Sequence, residues 1–251
     1  MEGEKEEILC RKRLQELAQS SFYRNYPTYS SFLTLNEQSI LETMKQSLPS
    51  VAYTLWGGHA MAERRMVCFS NESIEEEQFP IIALEIRPTH LKFAENLSHR
   101  DYLGAILNLG IDRSKIGDLI LEEHKAYVYV DESMQDYICS SLEKVKHTNI
   151  TCQAIDRTIT IQPKFQEIQG TVQSVRLDSV IALAFHKSRN QMLPLISSGK
   201  VFVNGRITEY NSYQLREGDV VSVRGMGKFL YVEQQDFTKK GKQKILLRKY
   251  V

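Results

Sequence analysis

Ser188-Arg189-Asn190 is where this sequence concentrates its chemistry. A serine able to cap a helix, followed at once by an arginine, puts backbone amides, the positive end of a helix dipole and a guanidinium in one place, which suits a phosphate. Lys187 precedes that cap, and Arg176 opens the helical stretch before it. Lys200 and Arg206 flank Asn204-Gly205, a hairpin turn whose glycine allows close backbone approach. Arg224-Gly225-Met-Gly-Lys228 repeats the theme, two glycines between two cations, a loop able to lie against RNA with no side chain in the way. It is no nucleotide loop of the GxxxxGK[ST] kind, because that spacing is absent.

Two other places invite a chemical reading. His99-Arg100-Asp101 has the letters of a kinase catalytic loop, but Asn108 is at the wrong distance and no glycine-rich ATP loop, VAIK lysine or DFG accompanies it. Asp101 then reads as an acid in the first turn of a helix, with His99 and Arg100 either on an exposed turn that touches RNA or serving local structure. Trp56-Gly-Gly-His59 places a lone histidine after a glycine turn, a structural arrangement. The six histidines contain no HxH or HxxxH pair, and Cys10, Cys68, Cys139 and Cys152 form no CxxC. No catalytic residue, metal or cofactor is therefore expected, and thiols so scattered fit a reducing cytosol.

Charge separates the chain into two parts. Residues 176–251 hold 14 Lys+Arg against 6 Asp+Glu, a net +8, whereas residues 1–175 hold 18 against 25, a net −7. A basic module on an acidic body points to a polyanionic partner, and a merely solvated basic surface is the alternative. With 251 residues and 42 % hydrophobic content the chain is long enough for two ordinary domains. No apolar run approaches the roughly 18–20 residues of a membrane helix. The acidic opening Met1-Glu-Gly-Glu-Lys-Glu-Glu is unlike a secretory signal, so the expected place is the cytoplasm, with no membrane partner and a monomeric chain.

Periodicity supplies the elements that must position these residues. Apolar spacing predicts helices over residues 6–20 and 36–48, the second capped by Asn36 and stopped by Pro49, with an aromatic loop between them. A strand over 51–56 follows, then strand 81–87, helix 99–109, strands 116–121 and 125–130, helix 132–145 and strand 150–156. The order β-α-β-β-α-β is that of ferredoxin-like and RRM-type modules. Alternation sends Tyr127 and Tyr129 to one sheet face, where they either stack bases or pack as ordinary sheet residues. Residues 161–175 read as a connector with a strand near 171–175. From 176 onward come two short helices, the second capped by Ser188, then strands 200–203, 206–208 and 220–224, and a closing hairpin of 228–237 and 243–250. The fold class is α+β, with segments 1–50 (helical), 51–160 (RRM-like), 161–175 (connector) and 176–251 (basic module).

The basic module also carries a family resemblance. Arg176-Leu-Asp-Ser-Val, Ser188-Arg189, Leu195-Ile-Ser-Ser-Gly-Lys-Val-Phe-Val-Asn-Gly-Arg206 and Leu215-Arg-Glu-Gly-Asp-Val-Val-Ser-Val-Arg-Gly225 resemble the S-four RNA-binding domain, the alpha-L fold of a small-subunit ribosomal protein. Pro194 departs from the pattern and should kink or shorten the second helix. The segment from Leu97 to Asp118, with Tyr29-Ser-Ser-Phe-Leu, Asn36-Glu-Gln and Val175-Arg-Leu-Asp178, is similar to the YlmH family and extends the resemblance over nearly the whole chain. The resemblance implies a bacterial protein that binds RNA of the large ribosomal subunit and tRNA, and assists stalled nascent chains in ribosome-associated quality control.

Three functions compete. A non-enzymatic RNA-binding adaptor needs only the basic module. An RNA-modifying enzyme, or its accessory, needs a Rossmann glycine loop or a catalytic-aspartate strand in a larger domain, and residues 1–170 contain neither. A factor linked to cell division has no residue-level support.

Overall fold

The computed structural model describes residues 2–60, 62–155, 165–238 and 241–250. The chain forms two compact units, residues 1–162 and 163–251.

The first unit begins with α1 (Glu2–Arg24), which carries the helical pattern through Phe22 and Tyr23 and stops where Asn25 turns to φ 54°. β1 (Thr28–Tyr29) leads to α2 (Leu35–Met44). The cap of α2 is Thr34, not Asn36, because Thr34 and Glu37 close a reciprocal capping box, the Thr34 amide donating to Glu37 Oε2 at 2.7 Å. β2 (Ala52–Trp56) and β3 (Met66–Ser70) complete a sheet of order β1-β3-β2. β3 sends Val67 and Phe69 against Leu14, Ala18, Ile40 and Leu41 of the two helices, and Met66 and Cys68 the other way. A strand buried on both faces shows no polar alternation, so periodicity passes over it.

β4 (Ile81–Pro88), α3 (His99–Leu107), β5 (Ile116–Glu122), β6 (Lys125–Asp131), α4 (Gln135–Ser141), β7 (Lys144–Val145) and β8 (Thr148–Ile155) follow. They build an antiparallel sheet of order β5-β6-β4-β8-β7. Tyr102, Ile106 and Ile138 of its helices pack on the face that carries Leu84, Ile86, Val128 and Val130. The opposite face, with Ile81, Ala83, Tyr127 and Tyr129, packs on Phe32, Met66 and Cys68. The helix expected to reach residue 145 ends at Ser141, because Leu142 turns extended (φ −86°, ψ 92°) and the next residues form β7. Across α4 and β8 the free thiols of Cys139 and Cys152 lie 3.3 Å apart, a pairing that sequence spacing hides.

The second unit starts in the stretch read as a connector. Residues 161–164 lie outside the described residues, but β9 (Phe165–Val172) pairs along its whole length with the last strand, replacing the short strand expected at 171–175. Ile168 and Val172 face the core, and a Cβ on Gly170 would stand 2.4 Å from Leu183, so glycine lets the helix layer sit close. α5 (Leu177–Ala184) and α6 (Arg189–Ser197) come next, then β10 (Val201–Val203), β11 (Arg206–Ile207), β12 (Val220–Val223), β13 (Gly227–Phe237) and β14 (Gln243–Tyr250). The sheet order is β11-β10-β12-β13-β14-β9, and both helices share its core through Val180, Ile181, Met192 and Ile196. Pro194 sits inside α6, which ends three residues later and closes on Gly199 at φ 65°. Lys239 and Lys240, between β13 and β14 in the sequence, lie outside the described residues. Among the described residues no helix is long and apolar enough to cross a membrane.

Candidate nucleic-acid interface

α6 begins as its sequence foretells. Ser188 accepts the Gln191 amide at 3.3 Å while its own amide donates to Gln191 Oε1 at 3.0 Å, a capping box that leaves the first amides of the helix directed outward. His186, at φ 51°, and the Lys187 amide bond to Ala182 O turn the chain sharply from α5 into that cap. Lys187, Ser188, Arg189 and Asn190 are all exposed.

Arg189 has a second task that the sequence reading missed. Asp178, in the first turn of α5, is only 1 % exposed and receives both Arg176, at 3.2 Å, and Arg189. The two predicted phosphate ligands thus converge on one buried carboxylate, which joins the starts of α5 and α6. The side chain of Arg189 remains 52 % exposed, so its planar fork offers further N–H donors outward. Arg189 therefore serves the fold through Asp178 while still facing outward.

The hairpin forms where expected, Asn204 and Gly205 taking φ 50° and 78° between Val203 and Arg206. The Asn204 side chain, however, donates to Asp219 at 2.8 Å and accepts the Val220 amide at 2.9 Å. It staples the turn to β12. Arg206 is exposed on the edge strand β11. Lys200 is held by its backbone, donating to Leu195 O at 3.0 Å and accepting the Arg224 amide at 2.9 Å, which brings the end of α6 beside the glycine loop. In that loop Gly225 and Gly227 take φ 81° and 113°, Arg224 lies 5.2 Å over the Phe202 ring and Lys228 lies 4.2 Å over Tyr250. Phe202 and Tyr250 were not singled out by sequence reasoning. Their signal was the alternation along β10 and β14, which turns each away from the helix-covered core.

The first unit corrects the stacking expectation. Tyr127 and Tyr129 are 6 % and 3 % exposed, because the face they share is covered by the other sheet. Gly58 stands directly on the Tyr129 ring, where any Cβ would fall 2.1 Å from it, and the His59 ring lies 5.0 Å away. His59 is structural as expected, its Nε2 3.4 Å from Asp118. Burial works to raise the Asp118 carboxyl, but His59 and the amides of Glu63 and Arg64 together hold it below its ordinary value. His99 and Arg100 are exposed at the start of α3. Asp101 caps that helix, accepting the Ser98 amide at 2.8 Å and pairing with Lys146 at 2.9 Å. Lys146 and Ser98 hold its carboxyl down at about 2, so this acid is committed to structure. Arg100, Lys144 and Lys146 line a shallow cleft beside α3. Among the described residues no cluster of His, Cys, Asp or Glu has the makings of a metal site.

Comparison with known proteins gives these sites a family. The YlmH RNA-binding-domain model matches residues 74–158 and the S4 domain model matches residues 175–221. Over 220 residues the chain is 31 % identical to the ribosome-associated protein quality control protein P2 of Bacillus subtilis, covering 86 % of this chain and 84 % of that one. The chain belongs to the YlmH family. The chain is also 41 % identical over 77 residues to the small ribosomal subunit protein uS4 of Kosmotoga olearia, 29 % of this chain and 37 % of that protein. The solved structure of the cell division protein ylmH from Streptococcus pneumoniae matches with a TM-score of 0.54 at 18 % identity, covering 62 % of this chain and 95 % of that one, a likeness of fold. In this YlmH-family chain the S4 match takes in α5, α6 and the hairpin, the elements that bring Arg176, Arg189, Lys200 and Arg206 to the surface.

Proposed function

We propose that this protein binds structured RNA of the ribosome without catalysing a reaction, with the large subunit and tRNA as its partners and ribosome-associated quality control of stalled nascent chains as its setting. The observation that carries this reading is the meeting of Arg176 and Arg189 at the starts of α5 and α6, in a unit of net +8 from residue 163 to 251. Around it Lys187, Ser188, Asn190, Lys200, Arg206, Arg224, Gly225 and Lys228 supply phosphate and backbone contacts. The Bacillus subtilis relative, named for protein quality control on the ribosome, supports the setting. Binding rather than catalysis is favoured because Asp101, the one acid whose neighbours look catalytic in sequence, is spent on capping α3.

In the first unit the sheet face that carries Tyr127 and Tyr129 is covered, so this unit contributes through His99 and Arg100 at the start of α3 and not through stacked bases. The reading is tested by affinity purification of the full chain from bacterial cells with sequencing of the bound RNA. Recovery of large-subunit RNA and tRNA well above a control is expected. Small-subunit RNA alone, or no RNA, would refute it.

A further inference from the structure

The sheet of the second unit has a face that neither α5 nor α6 covers. Phe202 faces Ser222, and Ser222 faces Lys228 across β10, β12 and β13. The register between Phe229 and Lys249, carried one residue further, sets Lys228 against Tyr250, in accord with the 4.2 Å between that ammonium and that ring. Directly opposed residues share a sheet face, and here that face is opposite to the one where Val201, Val221, Phe229 and Leu247 are buried under the helices. The result is a row of ring, hydroxyl, cation and ring. Arg224 hangs over the first ring at 5.2 Å.

A groove of about 520 Å³ runs along this row, bounded by Arg224, Gly225 and Gly227, and no carboxylate side chain is among the described residues that line it. A Cβ on Gly225 would meet nothing within 4 Å, so the loop rim is open.

We infer that this groove stacks the unpaired bases of a single-stranded RNA segment. The inference rests on the RNA-binding reading above and adds which form of RNA the second unit takes at this face. The starts of α5 and α6 present N–H donors and positive charge, which engage phosphates whether or not the bases are paired. Aromatic rings do the opposite. They take a base by its flat face, which a duplex hides inside its stack, so ring platforms select unpaired strands. Phe202 and Tyr250 stand three strand spacings apart, about 14 Å at roughly 4.8 Å per step, a span that a short extended stretch of RNA covers with Lys228 between the two bases. The planar guanidinium of Arg224 can stack and can bind phosphate, while Lys228 offers a point charge to the phosphate between the two bases.

The test uses the full chain with two fluorescent probes, an oligoadenylate of about eight nucleotides and a blunt RNA duplex. Phe202→Leu and Tyr250→Leu keep apolar bulk and remove the stacking face, while Phe202→Tyr keeps it. Each leucine variant is expected to lose about tenfold in affinity for the oligoadenylate, within the range set by one stacked base, with duplex affinity unchanged and Phe202→Tyr close to the parent. Oligoadenylate binding that survives both leucine variants would overturn the inference while duplex binding left the RNA reading standing. So would an equal loss on both probes, which would mark the rings as structural. Failure of the parent chain to bind either probe would remove the RNA reading itself.

Discussion

The buried carboxylate of Asp178 draws two guanidiniums to one point, and this sets what each can offer a ligand. Arg176 is partly buried at the start of α5, whereas Arg189 is half exposed, so the outward-facing donors of the pair belong mainly to Arg189. Arg189→Ala should weaken RNA binding about tenfold to a hundredfold, since a hydrogen bond to a charged group contributes roughly 1.5–3 kcal/mol. It should also lower stability, because Asp178 is left with one partner in place of two. Loss of one member of a buried pair costs about 3–5 kcal/mol, and with Arg176 still in place and Arg189 half exposed, roughly 1–2 kcal/mol is expected. The two effects separate when Arg189→Ala is combined with Asp178→Asn and Arg176→Met, which removes the buried carboxylate together with both of its partners. Thermal unfolding should return towards the parent midpoint while RNA affinity stays low. Recovery of both, or of neither, would show that the arginine acts only through the fold. Sequence spacing revealed Ser188 and Arg189 together because a cap and its neighbour are contiguous, but the partner eleven residues upstream becomes visible only once α5 and α6 fold against each other.

At the scale of elements, the sheet β1-β3-β2 and the loop after β2 together cover the face that carries Tyr127 and Tyr129. Gly58, at φ 93°, rests on Tyr129, so Gly58→Ala meets both a disfavoured backbone conformation and a ring that cannot move without opening the contact between sheets. Roughly 2–4 kcal/mol of destabilisation is expected from left-handed strain plus overpacking, read as a lower denaturant midpoint. A variant as stable as the parent would mean that this face is loosely covered. The cap of α3 gives a pH-dependent counterpart. The Asp101 carboxyl, ordinarily at 3.8, is held at about 2 in the fold by Lys146 and Ser98. A depressed carboxyl stabilises the folded state above its unfolded value, and that contribution disappears as pH falls through the folded one. Carboxyl NMR should therefore find Asp101 titrating near 2, with Lys146→Met moving it back towards 3.8; a normal titration in the parent would break the assignment. The strands around α3 were legible because 81–88, 116–122 and 125–131 combine apolar alternation with clear turns. β3 and β9 were not. One is apolar on both faces and so has no period, and the other carries its polar residues in a segment where Gly170 imitates a linker.

For the molecule as a whole, charge and compactness divide the chain at almost the same place. Residues 163–251 form one unit and carry 15 Lys+Arg against 7 Asp+Glu, while residues 1–162 form the other and carry 17 against 24. The charge step was plain in the sequence, but its boundary was drawn at 176, inside a sheet, because β9 precedes the basic run and pairs with β14 only through space. A fragment beginning at residue 171 would lose that edge strand and bare the side of β14, so residues 163–251 are the fragment to make. Binding of this fragment to structured RNA should depend steeply on salt, because each neutralised phosphate releases counterions. With about five phosphates engaged, the slope of log K against log salt is expected near −4, taking roughly −0.9 per contact for a duplex. The full chain should show nearly the same slope, since a first unit of net −7 can add local contacts through Arg100 but no large counterion release. Arg100→Ala should then leave the slope unchanged within one unit, and Arg189→Ala should reduce it by about one. A fragment of residues 163–251 that binds no RNA, with residues 1–162 binding in its place, would move the gripping surface to the other half of the molecule.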